Sequence, residues 1–251
     1  MAIGTNSIIH YTKTLETLIA ILDDLGFKYK YCSEKIVTRG NHNYSFAIAM
    51  VSFCDIPLSD YKKHFLKNSK KSDDNLGYYG DYGIGLSGRW SEIKGLNPVM
   101  YIDKNSHLST SIRHSAENLL KNETLLGDQK TNLYPFYTKN VKGQLKRAGK
   151  SDIDGYRFYD EREWRYVPSK DELSGEPRVL NNAKYLSAKE LYNSNISRNR
   201  LKFSIEDITY IIVKDKSELK KITEFLIARF PQSYMDLMPT IITSNQIIED
   251  F

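Results

Sequence analysis

The run Phe46-Ala47-Ile48-Ala49-Met50-Val51-Ser52-Phe53 restricts the fold more than any other stretch of this chain. Strand side chains alternate between the two faces of a sheet, so a nearly continuous apolar run reads as a strand buried on both sides. Ile208-Thr209-Tyr210-Ile211-Ile212-Val213 has the same character. Two such strands need helices to cover them, and the sequence supplies candidates. Leu15, Leu18, Ile19, Leu22 and Leu25 repeat at helical spacing, with Thr12 or Thr14 as N-cap and Gly26 as C-cap. Leu108, Ile112, Ala116, Leu119 and Leu120 form a stripe over residues 106–126, the longest helical candidate. Leu219, Ile222, Leu226 and Ile227 do the same over residues 215–230. This last helix lies between Ile208-Thr209-Tyr210-Ile211-Ile212-Val213 and Thr240-Ile241-Ile242-Thr243, so the pattern predicts a crossover that sets the two strands parallel.

These elements predict a single α+β domain with a central mixed sheet flanked by helices. A strand–helix–strand extension is expected over residues 201–251. With 251 residues the core is ample, and no repeat or linker divides the chain. The net charge of +5 is compatible with a nucleic-acid or nucleotide partner without specifying one. Two cysteines, Cys32 and Cys54, make neither a disulfide framework nor a metal-ligand spacing, which points to a reducing cytoplasm. No apolar run approaches the ~18 residues of a membrane span, and no signal segment opens the chain.

Asp160-Glu161-Arg162-Glu163-Trp164-Arg165-Tyr166-Val167 is chemically the most pointed stretch. As a strand it sends Glu161, Glu163 and Arg165 to one face and Arg162, Trp164 and Tyr166 to the other. Two carboxylates on one face repel unless a cation or a substrate sits between them. The stretch is either an amphipathic edge strand or one wall of a cleft. Residues 77–88 interleave Gly77, Gly80, Gly83 and Gly85 with Tyr78, Tyr79 and Tyr82, combining close backbone approach with stacking surface. No Lys-Ser/Thr follows these glycines, so this is no Walker A loop, and a Gly-rich hairpin is the plain alternative.

His10-Tyr11-Thr12, Phe53-Cys54-Asp55-Ile56-Pro57-Leu58, Tyr79-Gly80-Asp81-Tyr82-Gly83-Ile84-Gly85, Pro98-Val99-Met100-Tyr101, Glu161-Arg162-Glu163-Trp164-Arg165 and the closing Ile242-Thr243 to Asp250-Phe251 occur in that order. In this set the chain resembles the AbiGi family of bacterial abortive-infection proteins, over nearly its whole length. The resemblance implies anti-phage defence, and the family's antitoxin label implies a cognate toxin or another defence-system protein as partner.

A looser resemblance, in short motifs only, is to ADP-ribosyltransferases. His10, with Tyr11 and Thr12, looks like their first-strand nicotinamide-ribose motif. Gly83-Ile84-Gly85-Leu86-Ser87 looks like their second motif, although Ser87 stands where many of them carry Tyr. Glu163 looks like their late catalytic Glu, and Arg39 resembles the arginine of the DNA-modifying branch. This second resemblance implies NAD as substrate and a nucleic-acid or protein acceptor. His10 would hold ribose, Tyr79 and Tyr82 would stack on nicotinamide, and Glu163 would stabilise an oxocarbenium-like centre while Glu161 deprotonates the acceptor. No metal is implied. His10, the Gly83-to-Ser87 segment and Glu163 should then line one cleft. The competing class is a non-enzymatic antitoxin or sensor. A Gly-x-Ser-x-Gly elbow and the His-x-Glu with paired Cys of a zinc deaminase are both missing from the sequence.

Overall fold

The computed structural model describes residues 6–61, 80–121, 133–146 and 152–250. Strand β1 (Ser7–Thr12) leads through helix α1 (Leu15–Asp24) to β2 (Gly26–Lys28), β3 (Lys30–Val37) and the long β4 (Asn43–Cys54). β5 (Tyr82–Ser87) runs directly into α2 (Gly88–Lys94), followed by β6 (Asn97–Pro98), β7 (Met100–Ile102) and α3 (His107–Lys121). The short strands β8 (Thr138–Asn140), β9 (Lys142–Leu145) and β10 (Ile153–Arg157) precede β11 (Glu163–Tyr166). β12 (Val179–Asn181), α4 (Asn182–Ser187), α5 (Lys189–Ile196) and β13 (Arg200–Lys202) come next. The chain closes with β14 (Ile208–Val213), α6 (Leu219–Arg229), α7 (Tyr234–Leu237), β15 (Ile241–Thr243) and α8 (Ser244–Asp250).

The central mixed sheet runs β15-β14-β5-β1-β4-β11-β6, with β3 and β12 also paired to β4. β4 has the two-sided burial that its apolar run predicts. Ala47, Ala49, Val51 and Phe53 face a core built with α1, α2, α4 and α6. Phe46, Ile48 and Met50 face a second core with Ile112, Ala116 and Leu119 of α3 and with Phe136. The molecule is thus a helix–sheet–helix arrangement of mixed α/β type.

β14 and β15 are parallel, as the crossover pattern predicts, with Ile211 opposite Ile241 and Val213 opposite Thr243. The unit they form is not an appendage. β14 also pairs antiparallel with β5, Ile211 opposite Ile84, which builds the C-terminal segment into the central sheet. A strand whose Ile211, Ile212 and Val213 are fully buried needs hydrogen-bonded neighbours on both edges.

Two local expectations need correction. Helix α1 takes its N-cap from Thr14, whose side chain accepts from Thr17 N–H, but it ends on Leu25 in the left-handed region (φ 43°). Gly26 belongs to β2 instead, where a Cβ would lie 3.0 Å from Arg200 Cβ on the facing strand. The stretch from Asp160 to Val167 is not one strand. Phe158–Glu161 is a 3-10 turn closed by Arg162 in the left-handed region (φ 42°), and the strand begins only at Glu163.

Candidate functional site: a buried ion cluster beside a lysine-rimmed groove

Glu161 and Glu163 do share one side of the molecule, despite the break at Arg162. The cation that their proximity demands is Lys139, whose Nζ donates to Glu161 Oε2 at 2.9 Å and to Glu163 Oε2 at 3.0 Å. β8 delivers Lys139, and its ammonium also lies 4.7 Å from the centre of the Phe158 ring. Arg165, wholly buried, donates from Nε to Glu163 Oε1 at 2.6 Å and from Nη2 to Glu163 Oε2 at 3.1 Å. Its remaining donors reach Glu34 Oε1 on β3 at 3.0 Å and the Phe136 carbonyl at 2.9 Å. Tyr101 Oη accepts from the Glu163 backbone N–H at 2.9 Å.

This electrostatic assembly is self-contained. Three carboxylates, Glu34, Glu161 and Glu163, meet two cations, Lys139 and Arg165. Burial opposes ionisation of Glu163, yet the charges of Arg165 and Lys139 outweigh it and hold its carboxyl well below the usual range. Burial likewise opposes the charge on Lys139, and Glu163, Glu34 and Glu161 together push its pKa well up. Glu163, Lys139 and Arg165 are therefore ionised near neutrality, with both oxygens of Glu163 already accepting.

The other expected site residues lie elsewhere. His10 stands on the opposite face of the sheet from Glu163. It projects onto Phe27 and Phe53, with ring centroids 4.8 and 5.6 Å away, whereas Glu163 pairs opposite Cys54 and shares the other face. The Nδ1 of His10 donates to the Ser52 carbonyl at 2.8 Å, and burial lowers its pKa. Tyr11 stacks on Tyr61 (4.6 Å, 9° between planes), and Thr12 pairs with Tyr82 at the end of β1. Tyr82 Oη donates to Glu218 Oε1 at 2.7 Å, tying β5 to the C-terminal segment. Tyr79 lies outside the described residues.

Gly83 and Gly85 sit inside the sheet between β1 and β14. A Cβ at Gly85 would come within 2.9 Å of Thr209 Oγ1 and of Tyr210 Cδ2, so the glycine admits a neighbouring strand's side chains. Ser87 is the N-cap of α2, accepting from the Trp90 N–H at 3.2 Å. Arg39 is exposed, in a 3-10 turn after β3. The structure brings Glu161 and Glu163 together and leaves His10, Ser87 and Arg39 apart from them.

Lys139 and Glu34 are the members that sequence reasoning missed. Lys139 sits in what reads as an irregular connection over residues 133–145, and Glu34 in an ordinary alternating strand. The one available signal was the unsatisfied Glu161/Glu163 pair, which requires a cation without saying which. Both missed residues line a cavity of about 320 Å³ between β3, β9 and Phe158. Among the described residues no His, Cys, Asp and Glu group could hold a metal ion, and no helix is long and apolar enough to cross a membrane.

The chain belongs to the AbiGi family: residues 26–214 match the family described as "Putative abortive phage resistance protein AbiGi, antitoxin". It is similar to the abortive phage resistance protein AbiGi of Lactococcus lactis subsp. cremoris, with 28% identity over 230 residues covering 81% of this chain and 89% of the relative. No solved structure matches it. Abortive phage resistance is accordingly the function of the family to which the chain belongs.

Proposed function

We propose that within abortive phage resistance this chain is the antitoxin, a non-enzymatic protein that binds and neutralises a toxin partner. One observation carries the reading. The carboxylate that ADP-ribose transfer would require, Glu163, is buried with both oxygens held by Arg165 and Lys139. Such a group has no free oxygen for an oxocarbenium centre, and His10 faces away from it across the sheet. The family description, which includes the word antitoxin, supports the same assignment.

The competing reading is ADP-ribose transfer from NAD to a nucleic-acid or protein acceptor. One experiment separates the two. The chain is expressed alone and together with the toxin candidate encoded beside its gene, and purified chain is incubated with labelled NAD. The antitoxin reading expects harmless expression alone, rescue of growth in the pair, and no label transfer. Growth arrest by the chain alone, abolished by Glu163→Gln together with loss of label transfer, would reverse the assignment.

A further inference from the structure

In an antiparallel ladder, alternate residues aim their backbone N–H and C=O at the partner strand and the remainder aim theirs away. On β3 the outward residues are identified by their side-chain partners. Tyr31 N–H donates to Asn193 Oδ1 at 2.9 Å, and its carbonyl accepts from Tyr185 Oη at 2.8 Å. Val37 N–H donates to Asn140 Oδ1 at 2.8 Å, and its carbonyl accepts from Asn140 Nδ2 at 2.9 Å. Ser33 and Lys35 share that parity. They stand opposite Ala47 and Ser45, so their backbone groups point out of the sheet on the edge away from β4. Both residues are exposed, and their outward groups have no partner among the described residues.

The two ends of this edge are therefore closed by dedicated asparagine and tyrosine side chains, while none of the described residues closes its middle. An unprotected edge is a template for another strand, and proteins ordinarily cover or block one. Here the open part forms a wall of a groove. Two adjoining cavities, of about 320 and 690 Å³, share Lys35, Val37, Gly143 and Gln144 as lining, so the groove runs on between β3 and β9. Apart from Lys139 and Glu34, which the buried cluster already pairs, four lysines against two carboxylates line the two cavities, which favours an acidic occupant.

We propose that the β3 edge at Ser33 and Lys35 is a strand-addition site that takes an extended, acidic segment of a partner protein. Each residue offers the incoming strand one donor and one acceptor, and Lys35, Lys142 and Lys146 meet its carboxylates. The proposal rests on the reading of the chain as a partner-binding protein and names where and how the partner is held. Unpaired backbone groups at the two-residue period of a strand favour a peptide over a nucleic acid, whose phosphates would be met by side chains alone.

The test uses the whole chain and a displayed library of short peptides rich in Asp, Glu and β-branched residues. Ser33→Pro and Lys35→Pro remove one outward N–H each and break no ladder bond, whereas Ser33→Ala keeps the backbone intact. Acidic peptides should be selected, and each proline variant should bind them roughly tenfold more weakly, the loss of one net hydrogen bond. Ser33→Ala should bind as the parent does. Should the proline variants unfold, amide exchange on the parent replaces them, with Ser33 and Lys35 expected to become protected when peptide is added. The assignment is overturned if no acidic peptide is recovered, if proline variants bind undiminished, or if Ser33 and Lys35 stay unprotected. It is also overturned if the edge proves to pair two copies of this chain or to bind only oligonucleotides. Proline variants that still rescue growth beside the toxin sink the edge assignment alone. A parent chain that never rescues sinks the antitoxin reading instead.

Discussion

Arg165 closes a two-point hydrogen-bonded pair with Glu163, two residues before it on the same strand face, with neither side chain reaching solvent appreciably. Removing Arg165 leaves Glu163 sharing Lys139 with Glu161 and takes the partner from Glu34, so buried negative charge is undercompensated. Arg165→Met should destabilise the chain by about 3–5 kcal/mol, measured by urea unfolding. The double variant Arg165→Met with Glu163→Leu should recover a large part of that loss, because it keeps the Lys139–Glu161 pair and strands only Glu34, the carboxylate nearest solvent. A double variant as unstable as the single one contradicts this account.

Lys139 separates two glutamates that would otherwise confront each other. In Lys139→Met the Glu163 carboxyl should take up a proton at higher pH than in the parent, since it loses one of the two cations that hold it ionised. Carboxyl chemical shifts followed through a pH titration report this directly. Unchanged titration of Glu163 would mean that Lys139 does not help to hold it ionised.

Stability should fall on acidification for a reason that can be assigned. The Glu163 carboxyl is held at about 2 in the folded chain against an ordinary 4.5, because the charges of Arg165 and Lys139 overcome the opposing effect of burial. A folded pKa below the unfolded one contributes stability above about 4.5 and loses it as pH falls towards about 2. Urea midpoints measured through this window should decline more steeply in the parent than in Glu163→Gln.

His10 contributes in a different window. Its folded pKa lies below 6.5 because burial disfavours the imidazolium, although the Ser52 carbonyl partly offsets this. The unfolded state therefore binds the proton more readily, and acidification from above 6.5 downward costs stability. The imidazole should be neutral at pH 7, with the proton on Nδ1, because a carbonyl can only accept. Nitrogen chemical shifts showing the proton on Nε2 would contradict the assignment.

Ser87 offers the cleanest separation between a capping and a ligand-binding role. Its hydroxyl accepts the Trp90 N–H at the start of α2. Ser87→Ala should cost about 1 kcal/mol in unfolding free energy, and Ser87→Asp should keep most of the stability. Equal stability of all three chains would remove the capping role.

The legible part of this fold is the part governed by period. The two-faced burial of β4, the stripes of α1, α3 and α6 and the parallel β14/β15 pair all follow from apolar spacing that the sequence displays openly. The turn at Arg162 was hidden because charged and aromatic residues continue the strand alternation straight through it, while the backbone reverses hand at a residue with no glycine signature. The cluster was half legible. Two carboxylates near each other demand a cation, but Lys139 arrives from β8 by tertiary packing, which no local pattern encodes. The expected trio failed to assemble for a simpler reason. His10 pairs opposite Ile84 and projects towards Phe53, while Glu163 lies opposite Cys54, so neighbouring register positions place them on opposite faces.

The position of β14 has a consequence for how the chain is made. β5 is hydrogen-bonded to β1 on one edge and to β14 on the other. Ile84 and Leu86, both fully buried in the finished protein, are synthesised long before the strand that closes their second edge. A growing chain therefore carries a raw, apolar sheet margin until residue 213 has emerged, and the central sheet is completed only once β14 and then β15 have been added. Chains released before that point leave the β14 side of β5 unpaired, an apolar edge that favours aggregation over function.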